Sequence, residues 1–198
     1  MIFSEELLFS LGADVLYFKI NEMIFAEGQK PNYYYQIRKG IVKLTKEREN
    51  GSDSIFSIFF SGQCFGETFL FSDKLYAFNA VAMENCEILK ISSEKFVDFI
   101  KDKSELLLSL YKFNAERTYY RYIMLNCLSI NDSALRIQEL FNVLKEYHVA
   151  HGVFSYQIPF TRQQISSITA LRLETVIRTV KKMEKNNIVK IKNGKIFY

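Results

Sequence analysis

From Ser93 to Ile130 the chain runs 38 residues without a glycine or a proline. An uninterrupted stretch of that length suits a long helix, because both residues that end helices are missing. Within it Leu106, Leu110, Phe113, Arg117, Tyr120, Met124 and Cys127 step by four and three. That is a heptad seam over about three repeats, the spacing of a two-stranded coiled coil. The same face can instead pack on the chain's own body. Arg117 sits awkwardly in either arrangement and needs an acceptor or an outward path for its guanidinium.

The segment before this helix has a different period. "VLYFKI", "MIFAEG", "YYYQIRKGIVKLTKE", "DSIFSIFFS" and "FNAVAMENCEILKIS" are rich in β-branched and aromatic residues and are separated by turn residues. Gly28, Gly40, Gly51 and Gly62 recur every 11 or 12 residues, with Gly66 close behind. Short strands at that spacing predict a rolled or closed β-barrel or a sandwich. "ENGSD" at 49–53 holds the clearest hairpin turn, because Asn-Gly suits type I′. The tyrosines at 33–35 alternate faces of a strand, which favours packing, although they also suit a pocket wall.

After the long helix, Asp132 or Ser133 can cap a second one, "ALRIQELFNVLKEY", with Leu135, Leu140, Phe141 and Leu144 on its apolar side. Thr161 then opens a capping box with Gln164. The pattern predicts a helix over 162–169 with Ile165 and Ile168 inward, and a turn at "ALR". A helix over 173–186 follows, with Val176, Ile177, Val180 and Met183 apolar. Asn193-Gly194 folds the last strands, 188–198, into a hairpin. Two short helices, a tight turn and a hairpin describe a winged helix-turn-helix.

Charge points the same way. Residues 155–198 carry nine Lys or Arg and two acids, a net +7, whereas the other 154 residues are net −3. A basic end on a mildly acidic body implies a partner with phosphates, nucleic acid or an anionic membrane. On the last helix Glu174 and Arg178 could be an ordinary solvated i, i+4 pair. With a helix before them and a hairpin behind, they suit base edges in the major groove instead. Arg178 can donate twice to guanine and Glu174 can accept from cytosine. Lys181 and Lys182 would meet phosphates.

Other classes are poorly served. Cys64, Cys86 and Cys127 are odd in number, far apart and lack a Cys-x-x-Cys, which argues against disulfides or zinc. His148 and His151 are the only histidines, and no metal is expected. No Ser/His/Asp order, phosphate loop or activated nucleophile points to an enzyme. The N-terminus has acids where a signal peptide needs bases, and no apolar run is long enough to span a membrane. The expectation is a soluble cytoplasmic protein.

The chain resembles the CRP/FNR regulators, bacterial transcription factors with a cyclic-nucleotide-binding-type barrel. In the barrel the resemblance rests on "FAEG" (25–28), "YYQIRKGIVKL" (34–44), "FGE" (65–67) and "VAMENCEILKIS" (81–92). Further on it rests on "TRQQI" (161–165) and "LETVIR" (173–178). It implies an α+β fold with a β-roll or jelly-roll over 1–102, a dimerisation helix over 103–131 and a winged helix-turn-helix over 132–198. It implies a homodimer on a palindromic double-stranded DNA site, with RNA polymerase as a further partner. Base reading falls on Glu174 and Arg178, with the adjacent base-facing position at Leu173. Thr161 and Arg162 fall at the phosphate-contacting start of the first helix, and Asp132 falls at the hinge. The usual turn glycine is Ala170, and the usual capping Ser or Thr is Arg172, which could reach a phosphate.

The effector site departs from the family. Gly66 and Glu67 match the motif that binds ribose in nucleotide-binding members. The Arg-Ser pair that holds the cyclic phosphate there is replaced by Tyr76 and Ala77. Loss of that arginine removes the bidentate charge-assisted contact. The expectation is a regulator with no cofactor and no cyclic-nucleotide effector. The rival reading is a sensor whose barrel binds a cyclic nucleotide or another small ligand as its main function.

Overall fold

A computed structural model describes residues 1–47, 53–72, 74–148 and 150–198. They form two compact units, Met1–Ala115 and Glu116–Tyr198. In the first, a short helix α1 (Glu5–Ser10) leads into eight strands: β1 (Asp14–Phe18), β2 (Met23–Phe25), β3 (Tyr33–Lys39), β4 (Ile41–Glu47), β5 (Asp53–Phe60), β6 (Cys64–Phe65), β7 (Asn79–Ala82) and β8 (Cys86–Ser92). They make two antiparallel four-stranded sheets, β1-β8-β3-β6 and β2-β7-β4-β5, folded as a β-roll. Helix α2 (Ser93–Ile100) follows, and α3 (Ser104–Ser129) is the long helix that the missing breakers predict. Helix α1 is not foreseen from the sequence, although Gly12 follows its end at φ +83°, and no Gly or Pro marks the break at 101–103.

Period-2 alternation sorts the roll. Tyr35 and Ile37 of β3 and Ile88 of β8 point between the sheets, where they join Val42, Leu44, Phe59 and Phe65. Tyr34, Leu89 and Ile91 point the other way and are covered by Phe3, Leu8, Phe96 and Leu110. One sheet is thus buried on both faces, which is why its strands read as continuous apolar runs. Tyr34 stacks on Phe96 at 3.9 Å between centroids. Beside it the buried Gln36 is fully engaged. Its Oε1 accepts from Tyr34 Oη at 2.7 Å and its Nε2 donates to the Phe3 carbonyl at 2.8 Å. Gly40 makes the β3–β4 turn at φ +109°, and a Cβ there would lie 2.6 Å from Cys86 Sγ. The expected Asn-Gly turn at 50–51 lies outside the described residues.

The second unit contains the end of α3, then α4 (Ser133–Tyr147), α5 (Arg162–Thr169), α6 (Leu173–Lys185) and a hairpin of β9 (Lys190–Lys192) and β10 (Lys195–Phe197). Asp132 caps α4 by accepting from Ala134 N at 2.8 Å and Leu135 N at 2.9 Å. Ile137, Leu140, Phe141 and Val143 supply its buried face, whereas Leu135, expected inward, is 58% exposed.

The heptad on α3 is assigned differently from the sequence expectation. Leu106, Leu110 and Phe113 pack into the core of the first unit. In the second unit Tyr120 meets Tyr147 edge-on at 4.9 Å. Cys127 is fully buried, with its thiol directed at the Arg136 carbonyl. At these five positions the helix meets its own chain. The apolar side chains left exposed are Leu108, Tyr111, Tyr119, Tyr122 and Leu125. Leu108, Tyr111, Ala115, Tyr122 and Leu125 trace a second heptad, two positions away from the first. A helix apolar on both sides carries two seams, and spacing alone does not say which one the chain covers itself.

Candidate nucleic-acid interface

The two helices before the hairpin are built locally. Thr161 Oγ1 accepts from Gln164 N at 3.2 Å, and Gln164 Oε1 accepts from Thr161 N at 2.8 Å, so the expected capping box closes. Helix α5 ends where Ala170 turns left-handed at φ 56°. Ser166 Oγ ties the turn by donating to the Leu171 carbonyl at 2.7 Å. Val176, Thr179, Val180 and Met183 bury one face of α6. Ile177, expected among them, is 38% exposed instead. It lies on the flank of the helix, about 100° from the buried centre.

The opposite face is wholly charged. Glu174, Arg178, Lys181 and Lys185 are exposed and fall within an arc of roughly 60° at 3.6 residues per turn. Lys182 is also exposed but lies to one side, beyond that arc. Leu173, at the first turn, is half-buried. Arg172 occupies the N-cap without any side-chain cap bond, so its guanidinium is not used to hold the helix. The other acid of this segment, Glu184, is turned to structural use. Its Oε1 accepts from Ile191 N at 3.1 Å and holds the hairpin to α6. Glu174 is thereby the acid of 155–198 left on the exposed arc.

The hairpin turns through Asn193 (φ 48°) and Gly194 (φ 76°), the paired positive angles of type I′. Arg162, half-buried, donates from Nη1 to the Gly194 carbonyl. It therefore ties the hairpin tip to the start of α5, and its remaining donors stay available to a phosphate.

Arg136 escaped sequence reading. Its Nε donates to the Ile130 carbonyl at 2.8 Å and its Nη1 to the Thr169 carbonyl at 3.0 Å. One guanidinium thus satisfies orphan carbonyls at the ends of both α3 and α5. Its only sequence signal is an arginine beside the apolar face of α4. His148, whose pKa burial lowers, stacks on Tyr156 at 5.2 Å between centroids. Among the described residues no group of three His, Cys, Asp or Glu side chains could hold a metal ion.

In the roll, Gly66, Glu67 and Tyr76 come together around Phe25. Tyr76 lies flat on Phe25, centroids 3.7 Å apart and planes 9° apart. Gly66 is left-handed at φ 74°, and a Cβ there would come within 3.0 Å of the Phe25 ring. Glu67 is fully buried. Tyr76 is 3% exposed, and its hydroxyl has no hydrogen-bond partner among the described residues. Burial, then Tyr35 and Glu67, push its phenol pKa up. Ala77, expected beside them, lies in the bend before β7 and is exposed instead. Tyr76 thus stands as a buried ring stacked on Phe25.

The cyclic nucleotide-binding domain pattern matches residues 15–103. The cAMP-activated global transcriptional regulator CRP of Haemophilus influenzae is 30% identical over 164 residues, 82% of this chain and 73% of that protein. The CRP of Salmonella typhimurium is 31% identical over 165 residues, 82% of this chain and 79% of that one. Among solved structures, the c-di-GMP-responsive regulator CLP of Xanthomonas campestris superposes with a TM-score of 0.81 at 18% identity, covering 97% of this chain and 96% of that one. FixK2 of Bradyrhizobium japonicum gives 0.77 at 17% identity, over 93% and 91%.

Proposed function

Because the chain belongs to the CRP/FNR family of transcription regulators, we propose that it acts as a homodimer reading a two-fold symmetric DNA site without a cyclic-nucleotide effector. The observation that carries the DNA reading is the exposed charged arc on α6, borne by a box-capped α5 and flanked by a hairpin. In the major groove, Arg178 donates to guanine O6 and N7 and Glu174 accepts from cytosine N4. Leu173 and the exposed Ile177 offer apolar contact to thymine methyls. Thr161, Arg162, Arg172, Lys181 and Lys182 take phosphates, which fix register and not sequence.

The dimer forms along α3 through the exposed stripe of Leu108, Tyr111, Tyr122 and Leu125. Two copies then place their α6 helices about one helical turn of DNA apart. Residues 1–102 serve as the effector-type barrel, 103–131 as the dimer helix with its hinge at Asp132, and 132–198 as the DNA-binding part. RNA polymerase is the further partner.

The stacked Tyr76 ring supports the absence of a nucleotide response. By the family resemblance Tyr76 falls where the phosphate-holding arginine would stand, and its ring, stacked on Phe25, offers no cation. Duplex affinity measured with and without millimolar cAMP and cGMP tests the reading. Identical affinities are expected, and a tenfold or greater enhancement by either nucleotide contradicts it.

A further inference from the structure

The second unit has a groove that DNA binding does not use. It runs between the end of α3 and α4 and has a volume of about 390 Å³. Helix α3 contributes Tyr119, Tyr122, Ile123 and Asn126, which share one face at helical spacing. Helix α4 contributes Glu139, Asn142, Val143 and Glu146 at the same spacing. Val143 is buried and Ile123 half-buried, so they make an apolar floor. Tyrosines stand on one rim and glutamates on the other.

The groove is negative. Among the described residues no lysine or arginine lines it, and no ion pair involves Glu139 or Glu146. Glu139 is half-buried, and its Oε2 accepts from Asn142 Nδ2 at 3.2 Å. Asn142 is held in turn by Tyr198 Oη, which donates to its Oδ1. This fixes the carboxylate and leaves its Oε1 for a further donor. A carboxylate drawn partly out of water gains most from a charged one.

The tyrosine rim is continuous with the exposed stripe of α3. With Leu108 and Tyr122 at heptad position a and Tyr111 and Leu125 at d, Tyr119 and Asn126 fall at e. The exposed Arg121 falls at g, on the far side of the stripe from the groove. Two copies that bring both α6 helices to one duplex run their α3 helices parallel. In a parallel pair a g residue lies across from the e residue of the partner's next heptad. Arg121 of the partner subunit thus lies across from Asn126, where the groove holds Glu139.

We propose that the groove receives Arg121 of the partner subunit, whose guanidinium bonds the Glu139 carboxylate and packs against the Tyr122 ring. This rests on the dimer proposed above and deepens it. Helix α4 is bonded through Arg136 to the Thr169 carbonyl of α5. The contact therefore ties the α3 of each subunit to the DNA-binding part of the other.

Sedimentation equilibrium on the full chain tests the proposal by measuring the dimer dissociation constant. Arg121→Gln and Glu139→Gln are each expected to raise it about tenfold while far-UV dichroism stays unchanged. The double variant is expected to be no weaker than either single one, because both remove the same contact. Exchanging the charges, Arg121→Glu with Glu139→Arg, is expected to return the constant to within about threefold of wild type. Unchanged dissociation in both single variants overturns the proposal and leaves the dimer standing. Additive losses in the double variant also overturn it, as does a dimer weakened by Glu139→Gln but not by Arg121→Gln, which would put another group in the groove. Wild-type monomers at every concentration overturn the dimer and the proposal together.

Discussion

Replacing Arg136 by methionine is expected to uncouple the end of α3 from the helix-turn-helix. The guanidinium makes two bonds to main-chain carbonyls, 2.8 Å to Ile130 and 3.0 Å to Thr169. A hydrogen bond from a charged donor contributes about 1.5–3 kcal/mol when buried. This site is only part-buried, so the lower end applies to each bond, and their joint loss costs about 3 kcal/mol. Methionine keeps most of the apolar stem, which limits any added cavity cost. Lysine keeps the charge but has one donor centre, so Arg136→Lys should lose about half as much. Urea unfolding of full-length protein, followed by far-UV dichroism, reads both values. Because Thr169 closes α5, duplex affinity should fall in the same order: wild type, Lys, Met. A loss under about 0.5 kcal/mol in Arg136→Met, or a lysine variant equal to wild type, would refute this role for the guanidinium.

Further substitutions probe other parts of the account. Ala170→Gly should raise stability by about 1 kcal/mol, because alanine at φ 56° carries a strain that glycine avoids; a thermal melt should move up by several degrees. Arg178→Ala should cost about 1–3 kcal/mol on a specific duplex and relax discrimination at one base pair. Lys182→Ala should weaken specific and random duplexes alike and flatten the salt slope, and a salt titration on both duplexes separates the two effects. Tyr111→Glu combined with Tyr122→Glu places carboxylates on the exposed stripe of α3 and should yield monomers by sedimentation. Leu110→Met, on the side covered by the first unit, should leave the association state unchanged.

The sequence made the fold legible wherever local chemistry decides it. Thr161 and Gln164 point to a capping box, Asn193-Gly194 to a hairpin, and Asp132 or Ser133 to a cap, because each depends on residues within a turn of itself. The alternation of Tyr33, Tyr34 and Tyr35 was readable for the same reason. Tertiary choices were not. The Leu106–Cys127 heptad is real, yet spacing cannot tell whether a seam is filled by a partner or by the chain's own roll and α4. Ile177 and Leu135 lie at the flanks of their helices, where a shift of one position in the apolar arc decides burial. Arg136 was invisible because its acceptors, Ile130 and Thr169, are backbone carbonyls that no side-chain pattern reveals. In the roll the stacking of Tyr76 on Phe25 needed coordinates, because no local pattern links two residues so far apart in sequence.

Selection of bound duplexes from a random pool, with the recovered sites sequenced, tests the central claim most directly. The account predicts a two-fold symmetric site with half-sites about one helical turn apart, containing a G·C pair that loses its enrichment when Arg178 is replaced by alanine. Recovery of no preferred sequence, or of a site whose base preferences survive Arg178→Ala unchanged, would contradict it.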